Sequence, residues 1–131
     1  METRGRETHS LTLTCGSKVA YAEYGDPSGF PVLALHGVPA CRMMFAGTDK
    51  PAKHLKLRII APDRPGYGGT PIDQGATLQS RTQSLVDFVD ALKVKSFGLF
   101  AISGGSPYAV SLAATLKDRV KTLALVSPMG P

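Results

Sequence analysis

Four short, almost continuously apolar runs divide the chain into regularly spaced segments. They lie at residues 31–35, 57–61, 97–102 and 121–126. A strand that is apolar on both sides belongs in a parallel sheet that helices cover on both faces. The pattern therefore predicts four central strands.

Between these runs, the sequence shows features that are typical of helices. Thr77 is a good N-cap residue, and after it apolar side chains recur at positions 78, 85, 89 and 92. Residues 42–55 are moderately helical, and Pro107 fits the first turn of a helix that follows the third run. We therefore expect three helical segments between the strands.

A hairpin is predicted before the first buried run. Leu11 and Leu13 alternate with threonines, and after a Gly16-Ser17 turn apolar residues continue from Val19 to Tyr24. A hairpin followed by alternating strands and helices predicts an α/β fold, with one mostly parallel sheet of about six strands and helices on both faces. We expect residues 1–8 to form a flexible leader and residues 9–131 to form this one domain.

Charge and cysteine usage narrow the class of protein. The net charge is +5 and the pI about 9.4, but the basic residues are dispersed and lack interleaved aromatic residues, which argues against nucleic-acid binding. Cys15 and Cys41 fit neither a metal spacing nor a disulfide framework, and we expect no metal and no cofactor. No apolar run approaches the roughly 20 residues that span a membrane, and residues 1–9 lack the apolar core of a signal peptide. We predict a cytoplasmic protein that does not bind membranes.

The candidate chemistry lies directly after the third run. Ser103 stands in the pattern Ala101-x-Ser-x-Gly105, between a predicted strand and a predicted helix. Such a sharp turn exposes a serine hydroxyl above the sheet, and the N–H of Gly104 can then face a developing oxyanion. The alternative interpretation is a glycine-rich turn with an incidental serine.

Two further motifs precede this turn in the chain. They are Leu35-His36-Gly37-Val38-Pro39 and Asp63-Arg64-Pro65-Gly66-Tyr67-Gly68. Together with Ile102-Ser103-Gly104-Gly105-Ser106-Pro107-Tyr108, they make the chain resemble the α/β-hydrolase superfamily. The similarity is to small esterase-like members that have an H-G-x-P loop and an S-G-G-x-P-Y turn. It extends from about Leu11 to Pro128.

The resemblance implies roles for particular residues. Ser103 corresponds to the nucleophile, and the backbone N–H groups of Val38 and Gly104 correspond to the oxyanion hole. The residues expected to shape the pocket are His36, Gly37, Tyr67 and Tyr108. Asp63 is expected to be structural, and serine rather than aspartate at position 103 argues against epoxide hydrolases and haloalkane dehalogenases.

The resemblance also exposes a departure from the family. Its members place an acid and then a histidine after the nucleophile, and they add a lid. Here His9, His36 and His54 all precede Ser103, and the chain stops after its predicted sixth strand without a lid. We therefore expect the N-terminal portion of an α/β-hydrolase domain with a positioned but poorly activated serine, and with weak or no activity.

Two functions remain open from the sequence. The first is a serine hydrolase that acts on small ester-like substrates through Ser103. The second is a non-catalytic module, derived from a hydrolase, that binds a small ligand or a protein partner. The strand that begins at Lys121 and ends at Val126 is apolar on both faces, so its edge is expected to allow self-association.

Overall fold

The sheet runs through the whole described part of the protein. The computed structural model describes residues 6–129, so the first five residues of the predicted leader lie outside it. Six strands are hydrogen-bonded in the order β1-β2-β4-β3-β5-β6. Their bounds are β1 His9–Thr12, β2 Lys18–Gly25, β3 Phe30–Leu35, β4 Leu57–Pro62, β5 Phe97–Ile102 and β6 Val120–Val126.

Strand direction follows the length of each connection. β1 and β2, joined by a tight turn, are antiparallel, and β2 is also antiparallel to β4. The pairs β3–β4, β3–β5 and β5–β6 are parallel, because helical segments return the chain between them. The predicted α/β fold with a mostly parallel sheet is confirmed.

Three α-helices and one longer 3-10 helix cover the sheet. The 3-10 helix spans Arg42–Thr48, and the α-helices are α1 Asp49–His54, α2 Leu78–Ala91 and α3 Ser106–Leu116. The segment predicted as one helix over residues 42–55 is thus divided in two. Pro51 lies in the first turn of α1, where its missing N–H removes no helical hydrogen bond.

The core has two halves, one on each face of the sheet. Leu33 and Leu35 of β3 pack in the half that α2 and α3 cover, and Ala34 packs in the half that the 3-10 helix and α1 cover. Both faces of β3 are therefore buried, which explains its continuous apolar run. Phe88 of α2 is almost fully buried, and such a side chain contributes about 1.5–3 kcal/mol.

The N-terminus of α2 is capped as predicted. The Thr77 hydroxyl accepts from the Ser80 N–H at 3.1 Å, and the Ser80 hydroxyl accepts from the Thr77 N–H at 2.9 Å. This reciprocal pair satisfies two N–H groups that would otherwise be unpaired. It fixes the N-terminus of α2, the helix in which Arg81 lies.

Two residues of the predicted leader make specific contacts. Arg6 Nη1 donates to the Gly25 carbonyl at 2.7 Å, and the Tyr24 hydroxyl donates to Glu7 Oε1 at 2.9 Å. Arg42 Nε donates to the Glu7 carbonyl at 2.7 Å. The expected flexibility was based on polarity alone, but the phenol of buried Tyr24 needs a hydrogen-bond partner, and Glu7 supplies it. Burial chiefly, and Glu7 next, raise the pKa of Tyr24.

Candidate active site

Ser103 occupies the turn between β5 and α3. Its φ of 47° is in the left-handed region, directly after the extended Ile102. A residue with a side chain pays about 1–3 kcal/mol for such a conformation. The predicted strand, turn and helix are all present, and Pro107 lies in the first turn of α3.

The two glycines after Ser103 are required by close packing. A Cβ atom on Gly104 would lie 2.6 Å from Val38 Cγ2, and one on Gly105 would lie 2.7 Å from the Leu35 carbonyl oxygen. The turn and the loop after β3 therefore lie against each other. Ala101, two residues before the serine, is fully buried in the core, so its methyl group is accommodated.

The loop after β3 brings Gly37 and Val38 beside Ser103. A Cβ atom on Gly37 would lie 3.5 Å from Ser103 Cβ, whereas the Val38 side chain covers Gly104 and is partly open to solvent. The backbone N–H groups predicted to bind an oxyanion thus belong to two neighbouring segments. The Val38–Pro39 peptide bond is cis.

His36 is buried beneath this loop, and both of its ring nitrogens are engaged. Nε2 accepts from the Arg64 N–H at 3.0 Å, which places the ring proton on Nδ1, 2.8 Å from the Gly37 carbonyl oxygen. Burial lowers the pKa of His36 and keeps it neutral. The ring has no free nitrogen for Ser103. It is also fully buried, so it shapes the site by holding the loop after β3 in place.

Asp63 organises the loop after β4. Its buried carboxylate accepts from the Arg42 N–H at 2.6 Å and the Gly69 N–H at 2.8 Å, and it forms an ion pair with the Arg42 side chain. Gly68 has a φ of 53°, and a Cβ atom there would lie 2.0 Å from Asp63 Oδ2. All of these contacts point to a structural role for the aspartate, away from Ser103.

Arg64 is the residue of the site that sequence reasoning missed. It is only 6% exposed, and its guanidinium carbon lies 5.1 Å from the Tyr67 ring centre and 5.2 Å from the Tyr108 ring centre. Burial lowers the pKa of Arg64. Its position directly after a buried parallel strand was the available signal, because binding sites form at that edge of a sheet.

Tyr67 and Tyr108, predicted to shape the pocket, are both half-buried beside Arg64. The Tyr67 ring also packs edge-on against His36, with ring centres 5.1 Å apart. The Tyr108 hydroxyl accepts from Arg81 Nη1 at 3.1 Å, and Arg81 is held by Asp73 through a 2.7 Å ion pair. The two phenol rings therefore have fixed orientations around one buried cation.

The other histidines lie elsewhere. His9 stacks on Tyr21 at the start of β1, and His54 ends α1.

Within residues 6–129, no group of three potential metal ligands is assembled. In the same range, no helix combines the length and the apolar character needed to cross a membrane.

Comparison with known proteins identifies the family. A family model described as alpha/beta hydrolase fold matches residues 31–131, and the chain belongs to that family. The expected superfamily is thereby confirmed.

Individual relatives agree with this assignment. The uncharacterised hydrolase YcgS of Bacillus subtilis is 34% identical over 93% of this chain and 42% of its own length. Lipase 1 of Psychrobacter immobilis is 32% identical over 95% of this chain and 39% of the lipase. A thermophilic esterase from Thermogutta terrifontis superposes with a TM-score of 0.82 at 26% identity, over 93% of this chain and 46% of the esterase. The chain thus spans less than half the length of these relatives.

Proposed function

We propose that the chain carries the nucleophile and the oxyanion hole of a serine hydrolase that acts on small ester-type substrates. The observation that carries the proposal is the left-handed Ser103 between β5 and α3, with the Gly37-Val38 backbone against it. The lipase and the esterase among the similar proteins support the substrate class. Free Cys15 and Cys41 fit a reducing compartment such as the cytoplasm.

In the proposed reaction, Ser103 Oγ attacks the ester carbonyl carbon and gives its proton to a general base. The negative charge that forms on the carbonyl oxygen is bound by the N–H groups of Val38 and Gly104. Collapse of this intermediate breaks the bond to the alcohol, which leaves protonated, and an acyl-serine remains. Water then releases the acid by the same two steps.

No side-chain base is hydrogen-bonded to Ser103 within residues 6–129. None of their side-chain hydrogen bonds involves the Ser103 hydroxyl, and both nitrogens of His36 are engaged. A serine without an adjacent base is a weak nucleophile. We therefore propose that the 131-residue chain by itself reacts slowly at Ser103.

Labelling with a fluorophosphonate tests the proposal, because a nucleophilic serine oxygen attacks its phosphorus and displaces fluoride, while an oxyanion hole stabilises the charge on the phosphoryl oxygen. We expect slow modification of the purified chain at Ser103, located by mass spectrometry of peptides, and none in Ser103→Ala. Ser106→Ala is the matched control. The Ser106 hydroxyl is buried at the start of α3 without a partner among the described residues, so its loss costs little.

Two other outcomes would contradict the proposal in different ways. Labelling at the rate of an ordinary esterase would mean that the chain contains a base, and it would overturn the expected low reactivity. A folded chain that is never labelled at Ser103 would favour the alternative function, a non-catalytic module that binds a small ligand or a protein partner. The absence of a hydrogen-bonded base in the described range is the observation that keeps this alternative open.

A further inference from the structure

The Gly37–Val38 peptide unit is held from its carbonyl side. The Gly37 carbonyl oxygen accepts from His36 Nδ1 at 2.8 Å and from Arg64 Nη2 at 3.2 Å. Arg64 Nε also donates to the His36 carbonyl oxygen at 3.1 Å. One guanidinium group therefore binds two consecutive carbonyl groups of the loop.

This contact determines where the Val38 N–H points. In a planar trans peptide the C=O and the N–H point in opposite directions. Because the Gly37 carbonyl points toward Arg64 and His36, the Val38 N–H points away from both. Within the described range, that N–H has no backbone acceptor. It is free to bind a ligand oxygen.

The charge of Arg64 is also unusually placed. Arg64 belongs to none of the ion pairs formed by residues 6–129, and its neighbour Asp63 is bound to Arg42 instead. Its Nη2 atom lies 3.6 Å from the position of a Cβ atom on Gly104. A buried cation, which no carboxylate of the described range neutralises, therefore lies beside the Ser103 turn.

We propose that Arg64 is a positioning residue for the oxyanion hole. Its guanidinium group sets the direction of the Val38 N–H and adds positive potential beside Gly104. A hydrogen bond to a carbonyl also polarises the N–H of the same peptide unit, which strengthens its donation. This inference rests on the proposed function. It requires arginine, because the planar fork of a guanidinium spans two carbonyls and an ammonium is a single point of charge.

The test compares Arg64→Lys, Arg64→Met and Arg64→Ala with the unaltered chain. Arg119→Ala is the control, because Arg119 also donates to two backbone carbonyl groups, those of Lys95 and Val94, but not to the loop after β3. Circular dichroism and thermal melting first establish which variants are folded. Fluorophosphonate labelling of Ser103 is then measured for each. Methylguanidinium, at a non-denaturing concentration, is added to Arg64→Ala to restore the missing group.

We expect labelling to slow by at least about tenfold in Arg64→Lys and Arg64→Met, since removing one oxyanion donor outright costs about 10²–10³. Methylguanidinium is expected to restore part of the rate in Arg64→Ala, and Arg119→Ala should react like the unaltered chain. Labelling of a folded Arg64→Met at the unaltered rate would overturn the inference. So would a full rate in Arg64→Lys, because charge alone would then suffice.

A second measurement does not depend on reactivity. The carbonyl ¹³C resonance of Gly37 and the amide ¹H resonance of Val38 report the hydrogen bonding of this peptide unit. We expect both to shift in Arg64→Lys and to stay unchanged in Arg119→Ala. If the unaltered chain is not labelled at all, the proposed function fails, and these resonances still decide whether Arg64 holds the peptide. Unchanged resonances in a folded Arg64→Lys would overturn the inference.

Discussion

At the scale of single residues, Ser103 illustrates how the backbone of a candidate nucleophile conflicts with local stability. Its left-handed φ of 47° strains any residue that has a Cβ atom, and glycine alone adopts it freely. Packing around the turn leaves no room for the backbone to relax, because the loop after β3 already lies in close contact with Gly104 and Gly105. The strain is thus built into the turn that carries the hydroxyl.

Two substitutions of Ser103 should separate the effect of losing the hydroxyl from the effect of relieving the backbone strain. Both Ser103→Ala and Ser103→Gly remove the hydroxyl of the proposed nucleophile, but only glycine relaxes the backbone. Left-handed geometry costs about 1–2 kcal/mol, and the added chain entropy of glycine offsets about 0.4–1 kcal/mol of that. We expect Ser103→Gly to be more stable than Ser103→Ala by about 0.5–1 kcal/mol in urea unfolding. A less stable glycine variant would contradict the account of strain.

His36 should make stability depend on pH. Burial first, and then the nearby charge of Arg64, lower its pKa, whereas its hydrogen bond to Gly37 and the charge of Asp63 oppose the shift. The unfolded chain therefore binds a proton more readily than the folded one. The stabilisation from neutral His36 is complete above the unfolded pKa of about 6.5 and decreases as the pH falls through it.

Urea unfolding at pH 7.5, 6.5 and 5.5 measures this contribution. We expect His36→Gln to be less stable at neutral pH, since the amide does not replace the buried ring that packs against Tyr67, and to lose less stability on acidification than the unaltered chain. His54→Gln, at the end of α1, is the control and should keep the original pH dependence. If both variants respond to pH as the unaltered chain does, His36 is not the group that titrates.

At the scale of elements, periodicity predicted most of the fold because the central strands are buried on both faces. β3, β5 and α2 begin within one residue of their predicted positions, and Thr77 caps α2 as expected. The division of residues 42–55 into a 3-10 helix and an α-helix was not predicted. Its 3-10 part buries Phe45 alone, which leaves no repeating apolar spacing to detect.

The candidate site was predictable only where its chemistry is local. The Ser103 turn is encoded by adjacent residues, and it was found. Arg64 was quoted within a motif but given no role, because its partners are carbonyl groups 27 and 28 positions away in the sequence. A hydrogen bond from a side chain to distant backbone leaves no trace in residue type. Glu7 was missed for the same reason, since its contacts are with Tyr24 and Arg42.

At the scale of the whole molecule, the two edges of the sheet differ. β1, at one edge of the sheet, is short and is closely followed by the turn at Gly16. β6 has seven residues, pairs within the described range only with β5, and leaves Leu123 41% and Val126 44% exposed. Unpaired N–H and C=O groups on such a strand are a template for another chain. Its charge is confined to its start, at Lys121.

We propose that the 131-residue chain self-associates through β6 as a two-fold pair. An antiparallel register centred on Leu123 sets that residue opposite its own copy and Lys121 opposite Leu125, so no like charges face each other. Light scattering after size exclusion, over a range of concentrations, should show a dimer that dissociates on dilution.

Leu123→Lys should shift the distribution toward monomer, because it adds like charges at the centre of the pair. Leu125 is a poorer target, since it packs against the core. Leu55→Lys, at a 64% exposed position after α1, adds the same charge away from the edge and should leave the distribution unchanged. A monomer at every concentration would refute this pairing.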